Sequence, residues 1–202
     1  MTRGRGAGGR GSNASAGFST TELLITLTLV VLVTAMAVPA TGRVLETNRG
    51  RQAAAFVAGR LRSAQLGAAQ STKAVAVVFD ASARGWTFRV CEDGNRNGLR
   101  RSELPPGPDR CVAGPFDVES MFPGVRIAVD SALRGPEGEP ASADPVRFGR
   151  GNLASFSPAG SGTAGSVFLR VPGGQHFMVR VGGVTGRVRV FRHDPITGWE
   201  SL

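Results

Sequence analysis

Lysine is almost missing from this chain: Lys73 is the single one among 24 basic side chains in 202 residues. Cysteine and histidine are nearly as scarce, with two of each. Cys91 and Cys111 belong to no CxxC and no Cys/His cluster, which argues against a zinc site or thioredoxin-type redox chemistry. His176 and His193 have no acid and serine at a recognisable spacing, so nothing marks a group for acid–base or nucleophilic work. No GK[ST] follows a glycine-rich loop, which excludes a filament-motor ATPase. Residues 160–165 (GSGTAG) do match GxGxxG, but a pyrophosphate site needs that loop to open a helix. The next residues are SVFLRV, a strand pattern, so the loop connects strands and no nucleotide is expected there. The chain is therefore not read as an enzyme, and neither a cofactor nor a small-molecule substrate is expected.

Glycine, proline and arginine, by contrast, are plentiful. With 29 Gly and 12 Pro the chain is loop-rich, and 41% hydrophobic residues suffice for a core. The length fits one domain plus a membrane segment. The net charge of +9 falls to +6 without Arg3, Arg5 and Arg10, which lie in a Gly/Arg-rich start of low complexity. A basic surface favours polyanions such as nucleic acid or anionic lipid, but charge alone identifies no partner. If the domain lies outside the cytoplasm, Cys91 and Cys111 are expected to pair, the alternative being two separate buried thiols.

Residues 17–40 read GFSTTELLITLTLVVLVTAMAVPA. Three interpretations compete. A secretory signal would be cut near Ala35-Met36-Ala37. A plain anchor needs about 20 apolar residues, and the run 23–38 is slightly short. A prepilin signal would be cut on the cytoplasmic side of the apolar run. Glu22 discriminates among them, because a carboxylate within a membrane helix is costly and marks a function or a partner. Gly17-Phe18-Ser19-Thr20-Thr21-Glu22-Leu23-Leu24 resembles the prepilin cleavage and methylation motif. The resemblance implies cleavage after Gly17 by prepilin peptidase and N-methylation of Phe18. It also implies a role for Glu22 in assembly, by pairing with a neighbouring subunit's N-terminal amine. Pro39 matches the helix-kinking proline common in such proteins.

Further along, Val57, Leu61, Ala64 and Ala68 form one apolar stripe at helical spacing. The helix is predicted to fade near Gln70, and the period then changes. Strands are predicted at 74–80, 86–91, 124–130, 146–148, 166–171, 176–181 and 186–191, with an extra one at 154–157. Residues 92–110 and 131–144 read as surface loops. Helix first and antiparallel strands afterwards predicts an α+β fold. The order of RLRSAQLGAAQS, AVAVVFD, FSPAGSGTAGSVFLRV and TGRVRV resembles the GspH/FimT class of minor pilins and pseudopilins. That class implies a type IV pilin-like fold: a long N-terminal helix, membrane half plus amphipathic half, packed on antiparallel β-sheets. The corresponding parts are a leader (1–17), a transmembrane assembly helix (18–40), its amphipathic continuation (41–70) and a periplasmic β-rich domain (71–202). The class implies a single-pass inner-membrane protein incorporated near the tip of a type II secretion pseudopilus or a type IV pilus. The implied partners are prepilin peptidase, the inner-membrane assembly platform and other pilins or pseudopilins.

Two later motifs carry chemistry. Asp93, Asn95 and Asn97, with Gly98 at the sixth position, have the oxygen spacing of a calcium loop. The twelfth position is Leu104, and Arg96, Arg100 and Arg101 would repel a cation, so a disulfide-pinned turn is the expected reading. Relatives in the class often carry an acidic loop of this kind. Residues 186–189 (GRVR) place Arg187 and Arg189 on one face of a strand, with Arg192 close in sequence. The motif resembles the DNA-contacting GRxR element of minor pilins used in DNA uptake, and the alternative is an ordinary solvated face.

Overall fold

The computed structural model describes Gly17 and residues 19–202, less the side chains of residues 36–41 and 43. The predicted leader, Phe18 and the side chain of Pro39 lie outside the described residues. The chain divides into two units, Met1–Thr41 and Gly42–Leu202.

Helix α1 (Thr20–Ser71) reaches from one unit into the other. In the second unit its predicted stripe is buried: Val57, Leu61 and Ala68 have no exposure and Ala64 has 1%. Ala53, Ala54 and Ala58 join it, so the buried face is built largely from small side chains that let a sheet approach closely. The α+β class arises from the sheets that meet this face.

Two antiparallel sheets supply it. The hairpin β1 (Val75–Ser82) and β2 (Gly85–Glu92) pairs Val75 with Glu92 and Ser82 with Gly85. β3 (Arg110–Asp117) adds to β2 and β6 (Leu153–Phe156) to β1, giving the order β3-β2-β1-β6. The second sheet contains β4 (Arg126–Ile127), β5 (Val146–Arg147), β7 (Gly165–Arg170), β8 (His176–Val181), β9 (Val188–Asp194) and β10 (Gly198–Ser201). Its order is β10-β9-β8-β7-β4, with β5 also paired to β7. One core unites the α1 stripe with inward residues of both sheets, including Val77, Phe79 and Phe88 from the first and Val167, Leu169, Phe177 and Val179 from the second.

Three predicted segments differ. The strand expected at 124–130 is paired only over Arg126–Ile127. Strand β3 begins at the end of the predicted 92–110 loop, and β10 falls where no strand is predicted. The segment 131–144 is a loop as predicted, but β7 and β8 bury side chains on both faces. Phe168 and Met178, which point away from α1, are 1% and 0% exposed. An antiparallel sheet that faced water on one side would leave them open.

Candidate functional site

The amino-terminal end of α1 shows how Glu22 is placed. The first turn begins after Ser19, whose Oγ accepts a hydrogen bond from the Thr21 N–H at 3.3 Å, the geometry of an N-cap. Glu22 stands three residues later in an S-x-x-E capping pattern, so its charge sits in the first turn and favours the helix dipole. The sequence reading missed this local role. Beyond it, the large apolar side chains between Leu23 and Val33 are each 55–66% exposed. The threonines of the run are satisfied internally: Thr26, Thr28 and Thr34 donate to the carbonyls of Glu22, Leu24 and Val30 at 3.0, 2.7 and 2.8 Å. An apolar surface with self-satisfied hydroxyls suits a medium that offers no hydrogen bonds. Among the described residues no helix is long and apolar enough to cross a membrane. The predicted 18–40 segment includes Phe18 and the side chains of 36–40, which lie outside them.

Cys91 and Cys111 are joined by a disulfide and face each other in the β2–β3 register. It closes the base of the loop 93–109, which organises itself around Asp93. This buried carboxylate accepts from the Asn95 and Arg96 N–H groups through Oδ1 (3.2 and 2.7 Å) and from Gly98 N–H through Oδ2 (2.7 Å). Asn95 and Asn97 turn their amides to Glu103, donating at 2.7 Å and at 3.0–3.1 Å. Those amide bonds hold the Glu103 carboxyl below the usual carboxylate range. Gly94 donates to Asp109 Oδ1 at 3.1 Å and lies so close to the Pro108 carbonyl that no Cβ would fit. The arginines expected to repel a cation are paired: Arg101 with Asp80 at 2.6 Å and Arg100 with Glu103 at 3.6 Å, while Arg96 is exposed. Asp109 Oδ2 is buried without a hydrogen-bond partner. That oxygen supplies one of the six to eight ligands that calcium takes. Among the described residues no group of three or more His, Cys, Asp or Glu side chains is placed to hold a metal ion. The Asp93 and Asn95 side-chain oxygens are taken by the loop's own backbone amides.

The GRVR segment leads into β9, which begins at Val188. Val188 is buried and Val190 packs on the core, while Arg187 and Arg189 are exposed, as the strand period requires. Gly186 has φ +59°, and a Cβ there would lie 2.6 Å from Gln65 Nε2 and from the Gly160 carbonyl oxygen, so only glycine fits. Helix α1 fixes this corner: Arg62 donates to the Val188 carbonyl and Gln65 to that of Thr185, both at 3.2 Å. Arg192 does not join the pair. It has the parity of Val188 and Val190, and it is bound to Glu200 across the β9–β10 ladder at 2.9 Å.

The residue that does join them is Arg180, directly opposite Arg189 in the β8–β9 register. Arg180, Arg187 and Arg189 line a shallow pocket of about 220 Å³ with Thr185 and Phe191. Glu137 closes one side of it. Arg180 is paired with Glu137 at 2.9 Å and with Glu139, both from the 131–144 loop. Burial opposes ionisation of Glu139, but backbone N–H groups of Glu137 and Glu139 and the Arg180 guanidinium outweigh it and hold its carboxyl low. At the far end of the same sheet face, His176 is buried, and its Nε2 accepts from the Asp130 N–H at 3.3 Å. Burial pushes its pKa down, as do Arg170 and His193, against the Asp130 carboxylate and the Gly174 carbonyl. The His176 contact with the Asp130 N–H fixes the backbone where the loop starts.

Comparison with protein-family models, with curated proteins and with solved structures finds no match to this chain.

Proposed function

We propose that this chain is a minor pseudopilin or minor pilin, a structural subunit of a type II secretion pseudopilus or type IV pilus, processed and N-methylated by prepilin peptidase. The observation that carries this reading is Glu22: one carboxylate in the first turn of a helix whose next three turns expose only apolar side chains and self-satisfied threonines. A lone acid at the mouth of such a segment is costly in lipid, and a neighbouring subunit's amine would compensate it. The apolar helix holds the chain in the inner membrane and then packs among its counterparts in the filament. The β-rich unit carries the contacts with other minor subunits in the periplasm.

The intact mass of membrane-extracted protein tests it. A chain beginning at Phe18 with a methyl group added is expected, and one beginning at Val38 would mean that Ala35-Met36-Ala37 is the cleavage site. Glu22→Ala should leave insertion intact and reduce incorporation into filaments, whereas wild-type incorporation would remove the pairing role.

A second reading has its own observation. Arg187 and Arg189 are exposed side by side and make no ion pair among the described residues, while Arg180 and Arg192 are both engaged by glutamates. Two free guanidinium groups on one strand face suit phosphate contact, and this supports a DNA-binding minor pilin. Replacing both should weaken duplex binding for any sequence and lower the salt slope by about 0.9 per lost contact. Equal losses from replacing Arg126 and Arg134 would point to a diffuse arginine surface.

A further inference from the structure

The outer face of the six-stranded sheet carries a row of residues in register. Arg147 lies opposite Ser166, Ser166 opposite Arg180, and Arg180 opposite Arg189. The segment 131–145 runs over this face and engages two of the three arginines. Arg147 donates to the Asp144 and Ser142 carbonyls, both at 3.0 Å, and its guanidinium covers the Phe168 ring at 4.5 Å. Arg180 is taken by Glu137 and Glu139. Trp199 Nε1–H fastens the segment from β10 by donating to the Arg134 carbonyl at 2.7 Å. The ion pairs at Arg180 are not sealed from water: the side chains of Arg180 and Glu137 are 24% and 73% exposed.

We propose that residues 131–145 form a strap that holds Arg180 in reserve: its two glutamates occupy the guanidinium until duplex DNA, seated on Arg187 and Arg189, displaces them and takes Arg180 as a third phosphate contact. The proposal rests on the second reading above and adds the control of the same site. Exchanging carboxylates for phosphates keeps Arg180 paired throughout, so the half-buried charge is never left uncompensated. Glu137, at 73% exposure, is held weakly enough to be displaced in this way, and Glu139, at 35%, is within reach of water. The three guanidiniums start from backbone positions about 6.7 Å apart along the extended chain entering β9 and about 4.8 Å apart across the β8–β9 ladder. That spread exceeds one phosphate group and suits successive phosphates of a polymer.

The test uses full-length protein in detergent and a short fluorescein-labelled duplex at several salt concentrations. Glu137→Gln with Glu139→Gln should tighten binding about 3- to 10-fold at fixed salt, the worth of two exposed ion pairs. Removing two negative charges would favour DNA anywhere on the surface, so the same pair is also made in an Arg180→Gln background. There the gain should vanish. An equal gain in both backgrounds overturns the strap and leaves the second reading standing. Undiminished wild-type binding after Arg187→Gln with Arg189→Gln overturns both. Trp199 gives a readout independent of affinity. In a Trp86→Phe variant, saturating duplex should shift Trp199 emission to the red as the Arg134 contact opens. No shift means that the strap stays in place, and a shift produced by phosphatidylglycerol vesicles but not by duplex means that the partner is a membrane; either result overturns the proposal.

Discussion

The two long loops of the β-rich unit differ in how they are held. Residues 93–109 are closed by the Cys91–Cys111 disulfide and turn most of their polar groups inward, three backbone amides on Asp93 and two side-chain amides on Glu103, with Arg101 reaching out to Asp80 and the Gly151 carbonyl. Residues 131–145 have no covalent tie; besides their own bonds, such as the Gly135 N–H to the Glu139 carbonyl and the Glu137 N–H to the Glu139 carboxylate, they hold on through Arg147, Arg180 and Trp199 of other elements. A loop that satisfies itself keeps its shape whatever docks beside it. One that borrows its partners can be displaced by any ligand that offers those partners something equivalent. The first loop is therefore expected to act as a fixed part of the scaffold and the second as its adjustable part.

The largest effect expected from breaking this contrast comes from the disulfide. With a sequence separation of 20 it closes a loop whose chain-entropy contribution is about 3 kcal/mol. Cys91→Ser with Cys111→Ser should lower the melting temperature by roughly 6–12 °C, read by circular dichroism. A loss of only a degree or two would mean that the loop's own hydrogen bonds suffice. Next comes Asp93→Ala, which leaves the Asn95, Arg96 and Gly98 amides without their acceptor. This should cost about 1.5–3 kcal/mol, the worth of hydrogen bonds to a charged acceptor. In the doubly substituted serine protein the same change should cost less, since both act on one loop. Strict additivity would show that the two devices work independently.

Much of this was legible in the sequence, for reasons that differ by element. The α1 stripe was readable because four apolar residues at helical spacing leave few alternatives. The β1–β2 hairpin and the Cys91–Cys111 loop were readable from alternation and from the cysteine count. Strand β3 was missed because RCVAGPFD carries a glycine and a proline, and its register with β2 is irregular between Phe88 and Cys91. Strand β10 is four residues with one apolar side chain, too little for a periodicity. The site was half readable. Arg187 and Arg189 declared themselves by parity, but Arg180 did not, because its pairing with Arg189 depends on the β8–β9 register, which parity within one strand does not give. The covering role of 131–145 did leave a trace in HFMV, whose consecutive buried residues signal a strand covered on both faces. The segment's own Gly, Pro and Glu content masked it, because its hold is polar rather than apolar.

A third effect is confined to one pH window. His176 binds its proton less readily in the folded chain than at the ordinary value of 6.5, so the unfolded chain takes up more protons below that value. Its contribution to stability is thus full above about pH 6.5 and is lost as pH falls towards the lower folded-state value. The depressed carboxyls of Glu103, Glu139, Asp194 and Glu200 follow the same sign in a lower window, below their ordinary 3.8–4.5. Thermal melts across this range should show two descending steps. His176→Asn should flatten the upper one and leave the lower one in place. If the upper step persists in that variant, another group is responsible and His176 does not anchor the 131–145 segment through its neutral form.

The smallest effect is the one that most sharpens the contrast. Glu137→Gln with Glu139→Gln removes the ion pairs that hold the adjustable loop, yet Glu137 is 73% exposed, Glu139 35% and Arg180 24%, so water reaches both pairs. Exposed pairs of this kind contribute about 0–1 kcal/mol, and less as salt rises. The melting temperature should therefore move by no more than roughly 4 °C, far less than for Asp93→Ala. Hydrogen exchange should separate what stability cannot. The amides of 131–145 should exchange faster in the doubly substituted protein, while those of 93–109 keep their wild-type rates, because local opening of one segment does not require the other to open. Parallel acceleration in both loops would mean that they form one cooperative unit, and the division into a fixed and an adjustable loop would then fail. Acceleration restricted to 131–145 with an unchanged melt is the signature of a segment that can leave its seat while the fold beneath it stays intact.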